Sequence, residues 1–271
     1  MPGPQRGPAV PIQSRSLLPG RELAAGWVLL TLLAALAWLF TAGQARDMGI
    51  QPGTVGMALP LFLLLWVAMM AAMMLPSVAP VALTWARGIG RQPAGAVRAA
   101  RTAQFVGGYL LAWGALGLPA YGGLAAAGHA VARHPGAGRW LAVSAFALAG
   151  LYQLGPAKNV CLRHCRSPLT QLIRYAQYRP WARDLRVGIH HGLYCVGCCW
   201  ALMILLVPLG VMNIAAMAGL AAVIFLEKLW RYGPQLARAA GVIFLICAAL
   251  TPFGDWLLPG LQSTSPMHSM S

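Results

Sequence analysis

The chain has 271 residues, of which 59% are hydrophobic and only 9% are charged, and its formal net charge at pH 7 is +15. An average soluble domain has about 25% charged residues, so this composition excludes a soluble globular domain and favours an all-α transmembrane helical bundle. The basic residues lie in short polar gaps between hydrophobic runs, not in a stripe with interleaved aromatic residues, which argues against a nucleic-acid partner.

Hydrophobic runs follow one another through almost the whole chain. Residues 1–20 are rich in Pro and Gly and are predicted to form a disordered tail, residues 21–260 a single transmembrane helical domain, and residues 261–271 a short C-terminal tail. Seven spans are predicted, from residues 23–42, 57–75, 105–127, 140–154, two within 187–229, and 237–258. Residues 187–229 would extend about 65 Å as one helix, twice the hydrocarbon thickness, so a fold-back is placed at Pro208 and Gly210.

The basic residues also predict the orientation of the spans. With seven spans and a cytoplasmic N-terminus, all 20 Lys and Arg lie inside except Arg46, Arg133 and Arg139. Such a strong positive-inside bias predicts a multi-pass membrane protein, with the lipid bilayer around it and the C-terminus outside. A single span over 187–229 would give six spans and weaken this bias.

The start of the fifth predicted span carries a cluster of potential metal ligands. On a helix, His191, Cys195 and Cys198 lie within about 60° of one another, and Cys199 lies within about 100° of them. Thiolate with imidazole suits zinc, and sulfur-rich sets suit Cu(I). The alternative is that these cysteines are small apolar residues packed in a helix.

A second cysteine pair, Cys161 and Cys165, lies in the fourth predicted loop. The fourth span leaves the membrane and the fifth span enters it on the same side, so we expect this pair to approach the first cluster. The cytosol keeps thiols reduced, which favours metal binding over a permanent disulfide.

Four methionines lie in the second predicted span. Met69 and Met73 share one helical face, and Met70 and Met74 share another. Thioethers are neutral soft ligands for Cu(I), although methionine also fills gaps in hydrophobic cores. Pro76 is predicted to break this helix just after the methionines.

Other polar residues have simpler interpretations. Glu227 is expected to pair with Lys228 or with Arg231 one turn on, and Asn213 is expected to make an interhelical hydrogen bond. The sequence contains no Walker loop, GxSxG or HExxH motif, so nothing in it indicates a hydrolase.

Three runs carry a family resemblance over most of residues 57–230: MMAAMMLPSVAP, GLYQLGPAKNVCLRHCRSP and HHGLYCVGCCWALMILLVPLGVMN with a later FLEK. They resemble a bacterial family of predicted metal-binding integral membrane proteins. The resemblance implies a multi-span protein with metal binding, and it carries over Met69, Met70, Met73, Met74, Cys161, Cys165, Cys195, Cys198 and Cys199.

The leading functional hypothesis is a membrane protein that binds copper, or another soft metal, through a Cys/Met/His site in the inner half of the bilayer. Its role would be metal delivery, translocation or insertion into a metalloenzyme, with a metalloenzyme or metallochaperone client as partner. Zinc is the alternative metal. Two further hypotheses stay open: a thiol-disulfide oxidoreductase that uses Cys195, Cys198 and Cys199, and a non-catalytic assembly factor in which the cysteines are merely packed.

Overall fold

The computed structural model describes residues 20–48, 54, 56–88, 95–134, 136–166, 182–254 and 257–261. Within these ranges the regular elements are helices and no strand occurs, so the predicted all-α class is confirmed. The helices are α1 (Gly20–Met48), α2 (Leu59–Gly88), α3 (Gly95–Arg133), α4 (Ala137–Leu154), α5 (Pro156–Arg166), α6 (Arg183–Ile204), α7 (Leu206–Leu209), α8 (Ile214–Leu229) and α9 (Gly233–Leu250). The predicted N-terminal tail up to residue 19 and the C-terminal tail from residue 262 lie outside the described residues, as do residues 167–181 of the fourth predicted loop.

Five helical segments are long and apolar enough to cross a membrane. They are Ala24–Asp47, Leu59–Ala86, Gly95–Arg133, Arg183–Ile204 and Gly233–Phe253. The pair α4 and α5, bent by 64°, would make a sixth span. Helix α8 has 16 residues, or about 24 Å, which is shorter than the hydrocarbon core. The described residues therefore support five or six spans, and the count of seven stays a prediction.

Helices α2 and α6 form the centre of the bundle. In their most apolar windows 67% and 56% of the residues are buried, against 17% in α1. The outer face of α1 instead exposes a row of leucines, among them Leu32, Leu36 and Leu39. A contiguous apolar face of this kind is costly in water and costs nothing against lipid tails.

Helix α2 runs without interruption through Pro76 and Pro80, so the predicted helix break at Pro76 is wrong. Each proline removes one backbone donor, but hydroxyl groups in the same turns make additional hydrogen bonds. The Ser77 hydroxyl donates to the Met74 carbonyl over 2.9 Å, and the Thr84 hydroxyl donates to the Pro80 carbonyl over 2.6 Å. Packing of α2 against α1 and α3 also supports the continuous helix.

The bend between α4 and α5 arises at Gly155 and Pro156. Gly155 is extended (ψ 155°), as residues before proline are, and its N–H donates to the Tyr152 carbonyl over 3.0 Å. Pro156 then opens α5, a position where its missing N–H costs no hydrogen bond. The prediction that Cys161 and Cys165 lie in a loop is therefore wrong, because both residues lie on helix α5.

The predicted fold-back at Pro208 and Gly210 is confirmed. Helix α6 ends at Ile204, the short α7 follows, and Gly210 has a φ of 96° that favours glycine. Asn213 then caps α8: its side-chain oxygen accepts the Ala216 N–H over 3.2 Å. The Asn213 amide also donates to the Leu209 carbonyl at the end of α7 over 2.9 Å. Neither hydrogen bond joins two spans, so the bond predicted between membrane helices is wrong.

Helices α3 and α6 touch backbone to backbone at glycines. A Cβ added at Gly108 would lie 2.2 Å from the Leu185 carbonyl oxygen, and one added at Gly188 would lie 2.0 Å from the Phe105 carbonyl oxygen. Small residues permit this close approach between membrane helices. The approach brings Tyr109 of α3 against the cysteines of α6.

Candidate metal centre

Three thiols of α6 form a compact buried group. The sulfur atoms of Cys195, Cys198 and Cys199 lie within 4.8 Å of one another, and each side chain is 1% exposed. The Cys198 and Cys199 sulfurs are 3.1 Å apart. Among the residues that the structure describes, no other group of three His, Cys, Asp or Glu side chains is this close. Sulfur atoms at these separations can bind a single soft ion.

Helix α5 adds a fourth thiol to the edge of this group. The Cys165 sulfur lies 3.8 Å from the Cys198 sulfur, so the expected approach of the two cysteine clusters is confirmed. Cys161 lies one turn earlier and is half-buried against α6, where a Cβ at Gly197 would come within 2.9 Å of its sulfur. The structure thus brings Cys165 to the thiol group and leaves Cys161 against the α6 backbone.

Two further polar groups contact the Cys195 sulfur. The Lys228 ammonium of α8 donates to it over 3.0 Å, and the Tyr109 hydroxyl lies 3.0 Å from it. Lys228 also donates to the Ser77 hydroxyl of α2 over 3.2 Å. A buried ammonium is stable only with partners, and here a thiolate at Cys195 can supply the opposite charge.

Glu227 is directed away from Lys228 towards α5. Its carboxylate accepts from the Lys158 ammonium over 2.6 Å and from the Gln153 amide over 2.7 Å, and both charged side chains are buried. Successive residues of a helix point about 100° apart, so Glu227 and Lys228 face different neighbours. The predicted pairing of Glu227 with Lys228 or Arg231 is therefore wrong.

His191 lies next to the thiols but is not one of the compact group. It is 3% exposed, and its Nδ1 has no hydrogen-bond partner. Its ring centre lies 6.3 Å from that of Tyr109 and 6.2 Å from that of His164. The structure thus separates His191 from the three thiols with which the sequence grouped it.

The four methionines of α2 are all buried in the core that also contains the thiols. Met73 and Met74 precede Ser77 by one helical turn on the same side of α2. Ser77 is linked through Lys228 to Cys195. The part of α2 that carries Met73, Met74 and Ser77 therefore belongs to the same core region as Lys228 and Cys195, where methionine sulfurs serve either as packing atoms or as neutral ligands.

The sequence interpretation missed Lys228 and Tyr109 as neighbours of the thiols. Lys228 had a signal, because an ionisable residue that follows an apolar run is a site candidate by default. Because Lys228 directly follows Glu227 in the sequence, the two residues were interpreted as an ordinary ion pair at the surface. Tyr109 had no such signal in the sequence, because its contact with Cys195 depends on the close packing of α3 on α6.

The fold and the site define a helical protein with five or six potential membrane spans and a buried thiol centre suited to a soft metal. The family model of the PpoB2 copper chaperones matches residues 63–251, which include all ten predicted ligands. The protein therefore belongs to this copper chaperone family. No curated protein and no solved structure matches the chain.

Proposed function

We propose that the protein is a multi-pass membrane copper chaperone that holds Cu(I) at Cys195, Cys198 and Cys199 and delivers it to a metalloenzyme or metallochaperone client. The observation that carries the proposal is the group of three buried sulfurs within 4.8 Å of one another. Membership of the copper chaperone family supports the choice of metal. We expect the three α6 thiols to contribute most to copper binding, followed by Cys165. The methionines Met69, Met70, Met73 and Met74 form a neutral secondary face. His191 and Cys161 lie outside the primary ligand set.

Ligand preference favours Cu(I) over zinc at this centre. Cu(I) binds both thiolate and thioether sulfur, whereas zinc has no use for the nearby thioethers. The Lys228 ammonium beside Cys195 offsets part of the negative charge that a buried thiolate complex would carry.

The membrane setting follows from helix composition and from the exposed leucine faces. We place the protein in a bacterial cytoplasmic membrane with its N-terminus in the cytoplasm, as the basic residues predict. Helix α5 and the start of α6 would then lie near the cytoplasmic surface, and the thiols would lie in the inner half of the bilayer. Reporter fusions at residue 271 test this topology, and a cytoplasmic C-terminus would contradict the seven-span arrangement.

Metal analysis of the detergent-purified protein tests the copper proposal. The wild type, loaded with Cu(I) under reducing conditions, should retain copper with sulfur-only coordination in X-ray absorption spectra. Cys198→Ser with Cys199→Ser should abolish this retention. Cys247→Ser is the matched control, because Cys247 is a half-buried free thiol on α9 and should leave copper content unchanged.

Two results would overturn the proposal. The first is full copper retention in the double serine variant with normal folding by size-exclusion chromatography. The second is preferential retention of zinc by the wild type when both metals are offered at equal concentration, since this would make the centre a zinc site.

A second candidate function, thiol-disulfide exchange, rests on the 3.8 Å separation of the Cys165 and Cys198 sulfurs. Oxidation of these two thiols to a disulfide would reduce a client disulfide to two thiols, so electrons and protons balance. Burial argues against it, because an external disulfide must reach sulfurs on side chains that are 7% and 1% exposed. Thiol trapping that finds a Cys165–Cys198 disulfide exchanging with a client would favour this function over metal delivery.

A further inference from the structure

A cavity of about 350 Å³ lies between helix α5 and the start of helix α9. Its lining consists of Asn159, Leu162, Arg163, Arg166, Pro234 and Arg238. The four lining residues of α5 follow one another at positions i, i+3, i+4 and i+7, so they share one face of that helix. The two lining residues of α9 are one helical turn apart. The spacing on the two helices thus brings three guanidinium groups to one cavity.

The positive charge of this cavity has no carboxylate to balance it within the described part of the chain. Neither α5 nor α9 contains an acidic residue. The carboxylate of Glu227 is bound to Lys158 and Gln153, and that of Asp184 is paired with Arg101. Like charges around one cavity repel one another, so an anion that binds among the three arginines lowers the free energy of this region.

Arg166 is fixed in position at one side of the cavity. Its guanidinium donates to the backbone carbonyl of Glu227 at the end of α8 and packs over Gly233, where an added Cβ would overlap it. A guanidinium has five N–H donors, so this contact leaves donors for a ligand. Arg163 and Arg238 are exposed, which leaves the cavity accessible from the protein surface.

The arrangement of these donors fits a phosphate group. Arginine binds phosphate oxygens through paired, charge-assisted hydrogen bonds, and several arginines around one site are typical of phosphate recognition. Cavities that bind small molecules have volumes of about 300–1,000 Å³, and this cavity lies at the lower end of that range. It therefore has room for a phosphate together with a small group esterified to it.

The surroundings of the cavity are those of a membrane surface. Trp230 and Tyr232, just before α9, are both exposed, and their ring centres are 5.4 Å apart. Tryptophan and tyrosine are enriched where membrane and water meet. Val160, next to Asn159 on α5, is exposed as well. Basic cavities between spans on the cytoplasmic side bind the headgroups of anionic lipids, and the orientation proposed above puts α5 on that side.

We propose that the cavity between α5 and α9 binds a phosphate group, and that an anionic phospholipid of the surrounding membrane supplies it. The lipid source rests on the proposed membrane setting, whereas the anion site rests on the three arginines. A bound headgroup would bridge α5 and α9 at the membrane surface. It would lie next to the helix that carries Cys165, because Arg166 directly follows that residue.

Native mass spectrometry of the full chain, purified in detergent, tests the lipid site. The wild type, offered equal amounts of phosphatidylglycerol and phosphatidylcholine, should preferentially retain one molecule of phosphatidylglycerol. Each arginine near an anionic headgroup contributes about fivefold in affinity. Arg163→Gln with Arg238→Gln should therefore weaken phosphatidylglycerol binding by more than about tenfold.

Arg133→Gln with Arg231→Gln is the matched control, because it removes the same charge from exposed residues that do not line the cavity. This control should bind phosphatidylglycerol as the wild type does. Equal weakening in the two double variants would reduce the effect to net charge and overturn the site. Without lipid or phosphate, both double variants should unfold at the wild-type temperature, because all four side chains are exposed.

Inorganic phosphate is the second arm of the experiment. If phosphate raises the melting temperature of the wild type but not of Arg163→Gln with Arg238→Gln, and no lipid preference is found, the anion site is supported and its ligand is a free phosphate. Equal retention of both lipids by the wild type, with no effect of phosphate on its melting temperature, would overturn the site. This wild-type comparison decides even if a variant misfolds. No metal enters these measurements, so their outcome is independent of the proposed copper function.

Discussion

The ammonium nitrogen of Lys228 lies 3.0 Å from the sulfur of Cys195, and both side chains are buried. This contact joins α8 to α6, and the second hydrogen bond of Lys228, to Ser77, extends it to α2. A positive charge at this point favours a thiolate on Cys195 and balances a Cu(I)–thiolate complex. The proposed metal centre would therefore include a fixed cation that is not itself a ligand.

Removal of the Lys228 charge should weaken copper binding. In Lys228→Met, the complex keeps its negative charge but loses its counter-charge, and breaking a buried pair in this way costs about 3–5 kcal/mol. At about 1.4 kcal/mol per factor of ten, we expect Cu(I) affinity to fall at least tenfold. Competition with a Cu(I) chelator measures it.

Arg231→Gln is the control for the loss of one positive charge near the same helix end. Arg231 is exposed and lies over the Tyr232 ring, so its replacement should leave affinity unchanged. Equal copper affinity in Lys228→Met and in the wild type would show that the centre does not use this charge.

The methionines of α2 should affect the transfer of copper more than its retention. Met73→Leu is nearly isosteric and should cost less than about 1.5 kcal/mol of stability. We expect copper retention to persist while the rate of transfer to a chelator falls, because a neutral thioether stabilises the ion in passage without trapping it. Met217→Leu, also fully buried but on α8, is the matched control.

A quadruple change to leucine at Met69, Met70, Met73 and Met74 extends this test. Unchanged metal content and unchanged transfer rate would assign all four methionines to packing. That result would also move the preference from copper towards zinc or thiol redox chemistry.

The buried pair of Lys158 and Glu227 should show strong coupling in a double-mutant cycle. Glu227→Gln leaves the Lys158 ammonium buried without its counter-charge, so we expect a loss of about 3–5 kcal/mol in the free energy of unfolding. Lys158→Met combined with Glu227→Gln should recover most of that loss. Thermal unfolding in detergent measures all members of the cycle.

Additive effects of the two single changes would contradict the contact, because residues that do not interact show little coupling. Arg238→Gln, a change of an exposed residue of α9, should leave the melting temperature unchanged and serves as the control.

Close packing of α3 on α6 should be sensitive to a single added methyl group. In Gly108→Ala the new Cβ meets the Leu185 carbonyl oxygen at 2.2 Å, which forces the helices apart at a cost of about 1–3 kcal/mol. Copper retention should fall as well, since Tyr109 would move away from Cys195. Gly107→Ala is the neighbouring control, with no atom within 4 Å of its Cβ, and should be neutral or stabilising. Equal stability of the two variants would contradict the close approach.

The sequence by itself determined the helical class and the apolar segments, and it singled out the thiols that lie together in the core of the bundle. These features depend on local properties of the chain. The apolar composition favours lipid over water around the helices, and helical periodicity places Cys195, Cys198 and Cys199 on one side of α6. The combination of Pro208 and Gly210 ends a helix. The approach of Cys165 to Cys198 was also predictable, because the sequence places the two cysteine clusters at the same predicted end of successive predicted spans.

Only the tertiary structure decided which groups surround those thiols. Lys228 reaches Cys195 because α8 packs against α6, and Glu227 pairs with Lys158 because the bend at Gly155 turns α5 towards α8. Such contacts join residues far apart in the chain, and no periodicity or spacing encodes them. At Pro76 the tertiary structure overrides a local tendency. Proline usually breaks a helix, but packing and nearby hydroxyl groups stabilise α2 through this residue.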